Sequence, residues 1–494
     1  MPTIFHLLIA FFLIVSIALS EDSVITVGPK GCDFYRIEAA LDSAAPGDTI
    51  EVHSGEYYVN LNITTPLLTL QGKDTGEGRP VLRAGSSTAD IENRGIGVTE
   101  MTVKTGGTAI AIREFGCKVD GFDITDVIRP VPYGSGEHND LIGDAAIRVY
   151  SDGNTISNNN FYGNELTGIG LWNCSNNKII NNTIKDIPFG YAIELYNSNQ
   201  TTIDGNQILH NDWGIEMQRS DANIVENNEI RDSINDAIRA MKCNYSIISA
   251  NIITGSGWES EYEGNGKGIS LLGSVSVINN NLIEQNRNDG IHIESIFWDD
   301  LTADNSYDNF IHKNRIRHNG KDGISLIRSW DNQLWDNNVT SNHGSGIALT
   351  LSNNNTLEKS NIRECLRGIF LYQSNYTKIA NSTITDEAKA GIVLDQYSTG
   401  NSLHFNLISN CTEGINISAG SSGNAISANN LSMNAQPAWD YSGNSWDRDG
   451  RGNFYGQRDC DDRNGDGICD LPYLIAGGSS LDRFPLANWA RVEG

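Results

Sequence analysis

Residues 168–196 read GIGLWNCSNNKIINNTIKDIPFGYAIELY and contain one complete copy of the unit that repeats through this chain. The unit begins with Gly-Ile-x-Leu, continues through a polar turn, and passes an Asn-rich stretch with the pattern Asn-x-Ile-x-x-Asn-x-Ile before the next Gly or Ala. Apolar and polar residues alternate within each short stretch, and this pattern is typical of β-strands. The repeat therefore predicts a stack of short strands.

The small residue that leads each copy sets the period of the repeat. Most copies are 22 to 24 residues apart, and a period in the low twenties is typical of a solenoid. The leading residues are Ala109, Ala146, Gly168, Ala192, Gly214, Ala237, Gly268, Gly290, Gly323, Gly346, Gly368, Gly391 and Gly414. Recurrent Asn suits the bends, because it tolerates left-handed backbone and can hydrogen-bond from turn to turn. We predict an all-β chain that forms one right-handed parallel β-helix with about 22–24 residues per turn.

The ends of the chain predict its domain organisation. Residues 1–20 hold one apolar run that closes on Ala-Leu-Ser, which is typical of a cleaved signal peptide, with an uncleaved anchor helix as the alternative. Residues 21–108 are predicted to form a capping helix, over 33–45 (DFYRIEAALDSAA), and the first irregular turns. Residues 109–432 are the regular repeats, and residues 433–494 are a C-terminal cap. No later apolar stretch approaches 18 residues, so we expect a secreted or cell-surface protein without a membrane span.

The net charge limits the classes of partner that we expect, and the positions of the cysteines indicate which of them are paired. The chain has 35 Lys and Arg against 61 Asp and Glu, a formal net charge of -26, which argues against binding nucleic acid. Export favours disulfides, and Cys460 and Cys469, which flank one loop, are the predicted pair. Most of the other cysteines are interpreted as small buried apolar residues.

Two segments outside the regular repeats resemble known families. Residues 46–52 (PGDTIEV) and 54–58 (SGEYY) are similar to the entry of pectin-lyase-like β-helices. Residues 446–455 (WDRDGRGNFY), 460–470 (CDDRNGDGICD) and 482–486 (DRFPL) resemble the terminal signature of NosD-type proteins. The repeats themselves look like the carbohydrate-binding and sugar-hydrolase repeat. These resemblances imply a β-helix that recognises carbohydrate, and the NosD likeness also implies copper.

Metal ligands are predicted in one loop. Asp462, Asn464, Asp466 and Asp470 place oxygen ligands at positions 1, 3, 5 and 9 of a Ca²⁺-type loop, with Gly467 at the sharp turn. We expect a structural Ca²⁺ that fastens the C-terminal cap, and the alternative is an Asp-rich turn that binds nothing. The nine His and five Met are scattered without pairs at ligand spacing, which argues against copper.

The remaining candidate site residues follow from the regular spacing of the repeat. In Gly-Ile-x-Leu-x the Ile and Leu point inward, so each x is predicted to face solvent on one sheet. Charged and aromatic residues concentrate at these positions between 146 and 294, beside insertions at 129–144, 255–266 and 295–308. Substrate contacts are predicted for Arg148, Tyr150, Trp172, Tyr196 and Glu294. Catalytic roles are predicted for Glu194, Glu216, Arg239 and His292.

Three functions stay open at this point. A pair of carboxylates whose pKa values differ can supply the acid and the base or nucleophile of glycoside hydrolysis. In a polysaccharide lyase or uronate epimerase, Arg239 or His292 would be the base. Without catalysis, the same face could bind an extracellular glycan or cell-envelope polysaccharide, or it could be the ion-paired surface of a structural cell-surface protein.

Overall fold

A computed structural model describes residues 23–85, 107–127, 145–299, 302–456 and 460–489. The predicted signal peptide and the 129–144 insertion lie outside the described residues. Within the described residues the chain runs repeatedly through three parallel sheets, here named sheets A, B and C in the order in which the chain enters them in each turn. The predicted parallel β-helix is confirmed, and each pass through the three sheets is one turn.

Sheet A has 16 described strands, in one consecutive order along the axis. They are Val24–Val27, Thr49–His53, Thr69–Lys73, Lys118–Asp120, Thr155–Ser157, Lys178–Ile180, Thr202–Asp204, Ile224–Glu226, Asn244–Ser249, Val275–Asn279, Phe310–His312, Gln333–Trp335, Thr356–Glu358, Lys378–Ala380, Ser402–His404 and Ala425–Ser427.

Sheet B has 14 described strands, mostly of three residues. They are Glu56–Val59, Val81–Ala84, Asp123–Thr125, Asn160–Phe161, Thr183–Lys185, Gln207–Leu209, Glu229–Arg231, Ile252–Thr254, Leu282–Glu284, Arg315–Arg317, Asn338–Thr340, Asn361–Arg363, Thr383–Thr385 and Leu407–Ser409.

Sheet C has 15 described strands, and from the second onward it contains the Gly-Ile-x-Leu segments and their variants. They are Leu61–Ile63, Ile110–Ile112, Ala145–Val149, Thr167–Trp172, Tyr191–Tyr196, Trp213–Gln218, Ile238–Met241, Ile269–Leu272, Ile291–Glu294, Ile324–Ile327, Ser345–Thr350, Arg367–Tyr372, Ala390–Asp395, Glu413–Ile417 and Gln436–Asp440. Three further strand pairs lie outside the stack, namely Ile296–Asp299 with Thr302–Asp304, Ser306–Tyr307 with Ser329–Trp330, and Tyr473–Leu474 with Leu481–Asp482.

The core is a column of aliphatic side chains along the axis. In sheet C, Ile169 lies beside Ile193, and Ile193 lies beside Ile215, all of them buried. Burying such a side chain contributes about 1.5–3 kcal/mol, so the repeated Ile is the main source of stability. Gly214 shows how close the turns approach at the leading position, because a Cβ there would lie 2.1 Å from the carbonyl oxygen of Ala237 on the next turn.

Asparagine joins successive turns at the bends. The backbone N–H and the side-chain amide of Asn182 both donate to Oδ1 of Asn206, at 2.9 and 3.1 Å, and Asn206 does the same to Asn228. These asparagines are buried, so each amide replaces the water that the bend would otherwise need. Other bend residues, such as Asn181, have a φ near +55°, a left-handed conformation that asparagine tolerates.

The helix near the N-terminus is shorter than predicted. It spans Ile37–Ser43, and Ile37 and Ala40 pack into the same apolar cluster as the first strands. Residues 33–36 of the predicted segment instead return toward the first strand, where the backbone N–H of Phe34 donates to the carbonyl of Thr26. The function of this helix as a cap stays a prediction. Among the described residues, no helix is both long and apolar enough to cross a membrane.

Candidate functional site

The outward side chains of sheet C form two columns along the stack, in the order predicted from the repeat. We name them the inner column and the outer column. The inner column from the third strand to the ninth is Arg148, Gly170, Glu194, Glu216, Arg239, Ser270 and His292. The outer column over the same strands contains Tyr150, Trp172, Tyr196, Gln218, Met241, Leu272 and Glu294.

The prediction that the inner column faces solvent is wrong for five of its seven members, including Gly170 and Ser270. Arg148, Glu216 and His292 are only 1%, 5% and 6% exposed. The side chain of Arg148 lies flat over Gly170, where a Cβ would come within 2.6 Å of its Nη1. Long side chains on strands about 4.8 Å apart cover one another in this way. The inner column is therefore a largely buried polar strip, and the outer column is the accessible edge.

Two ion pairs hold the inner column together. Nη1 of Arg148 lies 3.4 Å from Oε2 of Glu194, across the space left by Gly170. Nε of Arg239 lies 3.8 Å from Oε2 of Glu216, which is beyond hydrogen-bond distance. Oε2 of Glu216 is buried and has no hydrogen-bond partner among the described residues. A buried oxygen without a partner costs free energy, so Glu216 is held here against its own preference for water.

Burial changes the proton affinity of both glutamates. Desolvation, partly offset by Arg239, raises the pKa of Glu216 to about 8. Desolvation also raises the pKa of Glu194, with Arg148 acting in the opposite direction. Glu216 therefore keeps its proton at neutral pH, and the neighbouring carboxylate of Glu194 adds to this effect. It can act as a proton donor.

His292 is fixed between two carboxylates. Its Nδ1 lies 2.9 Å from Oδ2 of Asp289, and its Nε2 lies 3.2 Å from Oε2 of Glu294. Burial lowers its pKa, but the hydrogen bonds to Asp289 and Glu294 outweigh that effect and raise the pKa above the usual value. Both ring nitrogens of His292 are engaged by carboxylates, and these contacts favour the protonated ring, so this geometry does not favour His292 as a general base.

The sequence interpretation missed the acidic residues that precede the strands. Asp236 accepts the backbone N–H groups of Gly266 and Lys267 at 2.9 and 2.8 Å, and it orders the end of the 255–266 insertion. Asp289 also precedes a strand of sheet C, and its Oδ2 contacts Nδ1 of His292. The available signal was the Asn-Asp pair directly before the leading Ala or Gly, at 235–236 and 288–289.

The outer column carries the aromatic side chains. The rings of Trp172 and Tyr196 are stacked with centroids 4.3 Å apart, and both residues are partly exposed. Tyr150 is 40% exposed, and the guanidinium of Arg113 lies 4.9 Å from its ring centroid. Nη1 of Arg219 donates to the hydroxyl of Tyr196 at 3.4 Å. These contacts form a rigid, partly apolar edge beside the buried charges.

An open cavity of about 420 Å³ lies at the far end of this edge. It is lined by Arg239, Met241, Leu272, Glu294, Ser295, Ile296 and Arg328. Ile296 comes from the 295–308 insertion, so this insertion contributes to the site as a wall. Arg328 contacts Oε1 of Glu294 across the cavity. The cavity thus combines apolar walls with two arginines and one glutamate, a composition typical of a site for a polar ligand.

The predicted Ca²⁺ loop is closed by its own hydrogen bonds. Oδ1 of Asp462 accepts the backbone N–H groups of Gly465 and Asp466, and Oδ2 accepts that of Gly467 at 3.0 Å. Asn464 donates from its amide to Asp466. Oδ2 of Asp470 accepts the N–H of Arg463. Calcium at this loop stays a prediction.

Cys460 and Cys469 form a disulfide that closes this loop. Over the described parts of the chain, no group of three or more His, Cys, Asp and Glu side chains is placed to hold a metal ion. Copper favours clustered imidazole or sulfur ligands, and the expectation that this chain holds no copper stays a prediction.

Two family models match the chain. Residues 296–460 match the model described as periplasmic copper-binding protein (NosD). Residues 108–259 and 191–297 match the model described as right handed beta helix region. No protein with a curated description matches the sequence significantly.

Solved structures resemble the chain at low identity. The A-module of a mannuronan C-5 epimerase from Azotobacter vinelandii is 14% identical, with a TM-score of 0.46, over 77% of this chain and 92% of that one. The Dettilon tailspike protein is 13% identical, with a TM-score of 0.47, over 76% and 62%. The periplasmic alginate epimerase AlgG is 14% identical, with a TM-score of 0.40, over 72% and 76%. The chain is a right-handed parallel β-helix protein, and its residues 296–460 match the NosD family model.

Proposed function

We propose that the chain is an exported protein that binds an extracellular glycan or cell-envelope polysaccharide along sheet C, from Tyr150 to the cavity at Arg328. The observation that carries this proposal is the accessible outer column, in which Tyr150, Trp172 and Tyr196 lead toward a cavity lined by arginine and glutamate. The C–H faces of sugar rings stack on aromatic rings, and charged groups beside them bond hydroxyl or carboxylate groups.

The size of the edge supports an extended ligand. Seven successive strands run from the one that leads to Tyr150 to the one that carries Glu294, and six steps of about 4.8 Å make an edge about 29 Å long. That length suits an oligosaccharide better than a single sugar. The relatives by fold include proteins whose names refer to alginate and mannuronan, but the proposal rests on the side chains of this chain.

Export is supported by three features. The apolar run at residues 2–20 is typical of a signal peptide. The disulfide between Cys460 and Cys469 is of a kind that persists in oxidising compartments. The matching family model describes a periplasmic protein. Copper is not part of the proposal.

Catalysis on the bound polysaccharide is a second candidate, favoured by Glu216. A carboxylic acid that keeps its proton at neutral pH can protonate the oxygen of a leaving sugar. Glu194, which is paired with Arg148, is the adjacent carboxylate that would act as base or nucleophile. A lyase or epimerase would need a free base here, and both ring nitrogens of His292 are engaged by carboxylates.

A glycan array with the purified protein tests the first proposal against a purely structural function. The proposal predicts binding to one class of polysaccharide, lost in Trp172→Ala. A structural protein would bind none of them, and that result would overturn the proposal. With a ligand in hand, Glu216→Gln separates binding from turnover, because it removes the proton donor and keeps the shape. Binding should survive in this variant, whereas release of new reducing ends should stop.

A further inference from the structure

A thiol, an imidazole and a carboxylate lie in line at the first turns of sheet A. Sγ of Cys32 is 3.3 Å from Nδ1 of His53, and Nε2 of His53 is 2.9 Å from Oε1 of Glu51. Glu51 and His53 project from the same face of the strand Thr49–His53, because Ile50 and Val52 between them point into the core. Strand alternation therefore aligns the imidazole and the carboxylate, and a loop brings the thiol to them.

The loop that carries Cys32 is shaped for this approach. A Cβ on Gly28 would lie 2.8 Å from Sγ of Cys32 and 3.2 Å from Cβ of His53, so only glycine leaves room for the contact. Gly31 has a φ of +70°, which turns the chain back toward the strand. The loop is anchored by Asp33, whose Oδ2 accepts both the backbone N–H and the hydroxyl of Thr26.

The order of the three groups suits thiol activation. Glu51 accepts the Nε2–H of His53, which leaves Nδ1 as the acceptor that faces the thiol. An imidazole in this position can take the thiol proton, and the thiolate that results is the nucleophilic form of cysteine. Lys73 pairs with the same oxygen of Glu51 at 2.8 Å, and the hydroxyl of Tyr57 donates to the carbonyl of His53 at 2.8 Å. Both contacts hold the three groups in place.

The other free cysteines provide a contrast inside the same chain. Cys117, Cys174, Cys243, Cys365 and Cys411 are buried, and burial raises the pKa of each thiol. Cys32 is half-buried and is the one free cysteine among the described residues that a reagent can reach without unfolding. It is also the one with a histidine beside its sulfur.

We propose that Cys32 is an activated nucleophile for thiol–disulfide exchange, with His53 as its base and Glu51 as the residue that orients His53. The thiol passes its proton to Nδ1 of His53, and the thiolate attacks one sulfur of an external disulfide. The bond between the two external sulfurs breaks, a new bond joins Cys32 to one of them, and the departing thiolate takes the proton from His53. The chain thereby becomes covalently attached to a disulfide-bearing molecule, independently of any glycan on sheet C.

The probe for the test is 5,5′-dithiobis(2-nitrobenzoate), added to the folded full chain at a pH of about 6. An ordinary thiol with a pKa of about 8.5 is less than about 1% thiolate at that pH, so it reacts slowly. The proposal predicts a single fast reaction, abolished in Cys32→Ser and slowed on the order of 10-fold in His53→Gln. Peptide mapping should place the adduct on Cys32. His312→Gln, which alters another outward histidine of sheet A, is the matched control and should react like the parent chain.

A second variant distinguishes loss of the contact between Cys32 and His53 from loss of folding. Gly28→Ala pushes the thiol away from His53 and should slow the reaction while Cys32 stays accessible, and the melting temperature of each variant shows whether it is folded. The proposal is overturned if the parent chain reacts no faster than a free cysteine peptide at this pH. It is also overturned if folded His53→Gln reacts at the parent rate. Oxidised glutathione as a second probe shows whether a small biological disulfide reacts at the same site.

Discussion

Sheet C has a charged half, Ala145 to Glu294, and a plain half, Ile324 to Ile417, on one continuous stack of strands. Both halves bury the same aliphatic column, and Ile193 and Ile369 occupy equivalent positions. The inner column differs, because the charged half has Arg148, Glu194, Glu216, Arg239 and His292, whereas the plain half has Ser325, Ala348, Phe370, Val393 and Asn416.

The comparison shows that the fold does not require the buried charges. The plain half stacks with the same register without them, and burying an ion pair is at best close to neutral for stability. A strip of charge that the fold does not need, beside accessible aromatic rings, is better explained by ligand binding than by stability. The predictions below test this difference, beginning with the largest effect.

Arg148→Met should destabilise the charged half strongly. The change keeps most of the side-chain volume but leaves Glu194 largely buried without its cation, and breaking one side of a buried pair costs about 3–5 kcal/mol. Arg367→Met is the matched change in the plain half. The guanidinium of Arg367 lies 4.8 Å from the ring centroid of Phe370, a contact that contributes on the order of 1 kcal/mol. Urea unfolding measures the free energy of unfolding of both variants. Equal losses of this free energy would mean that the two halves do not differ.

Glu387→Gln should reduce the pH dependence of stability without affecting ligand binding. Glu387 lies in the turn before the strand Ala390–Asp395, and its Oε1 has no hydrogen-bond partner in the described part of the chain. Burial raises the pKa of Glu387 to about 8 from 4.5. Below pH 4.5 the group is protonated in both the folded and the unfolded chain, so it does not penalise folding. Between pH 4.5 and 8 only the unfolded chain ionises, and stability is lost as the pH rises.

The amide variant should therefore be the more stable chain near pH 8, by on the order of a few kcal/mol, and should match the parent near pH 4. Melting temperatures across this range measure the difference. A parallel shift of the two curves at every pH would contradict a raised pKa for Glu387.

Removal of calcium should have the smallest effect on stability, and this effect should be confined to the C-terminal end. If Ca²⁺ binds the loop that contains Asp462, Asn464, Asp466 and Asp470, removal with a chelator should lower the melting temperature by several degrees, and Asp466→Ala should do the same. Calorimetric titration should find one site in the parent chain and none in the variant. Unchanged melting in excess chelator would show that the loop is held by its own hydrogen bonds and the disulfide.

The sequence was sufficient for the fold because its signal is local and repeated. The spacing of Gly168, Ala192 and Gly214 defined the turns, and alternation within each copy placed Ile and Leu inward. The same spacing gave the correct order of the residues in both outward columns. It could not give their burial, because Arg148 is covered through the absence of a side chain at Gly170, a relation between strands 22 residues apart.

The candidate site was also harder to predict, because its contacts join side chains on different turns. Asp289 and Arg328 complete the surroundings of His292 and Glu294 from outside the repeat unit, and their contacts depend on side-chain reach across turns. The thiol at Cys32 was also missed, because the loop before the repeats follows no period. Periodic patterns predict the backbone and the order of the outward residues, whereas burial and the contacts between turns depend on the side chains of neighbouring strands.

The most direct test of the glycan proposal compares Trp172→Ala in the charged half with Tyr372→Ala in the plain half. Both are partly exposed aromatic residues of the outer column on the same sheet. Calorimetric titration with the polysaccharide selected on the array measures affinity. The proposal predicts that Trp172→Ala abolishes binding while its melting temperature stays within a few degrees, and that Tyr372→Ala binds like the parent chain. If Tyr372→Ala is as damaging as Trp172→Ala, the charged half is not the binding site.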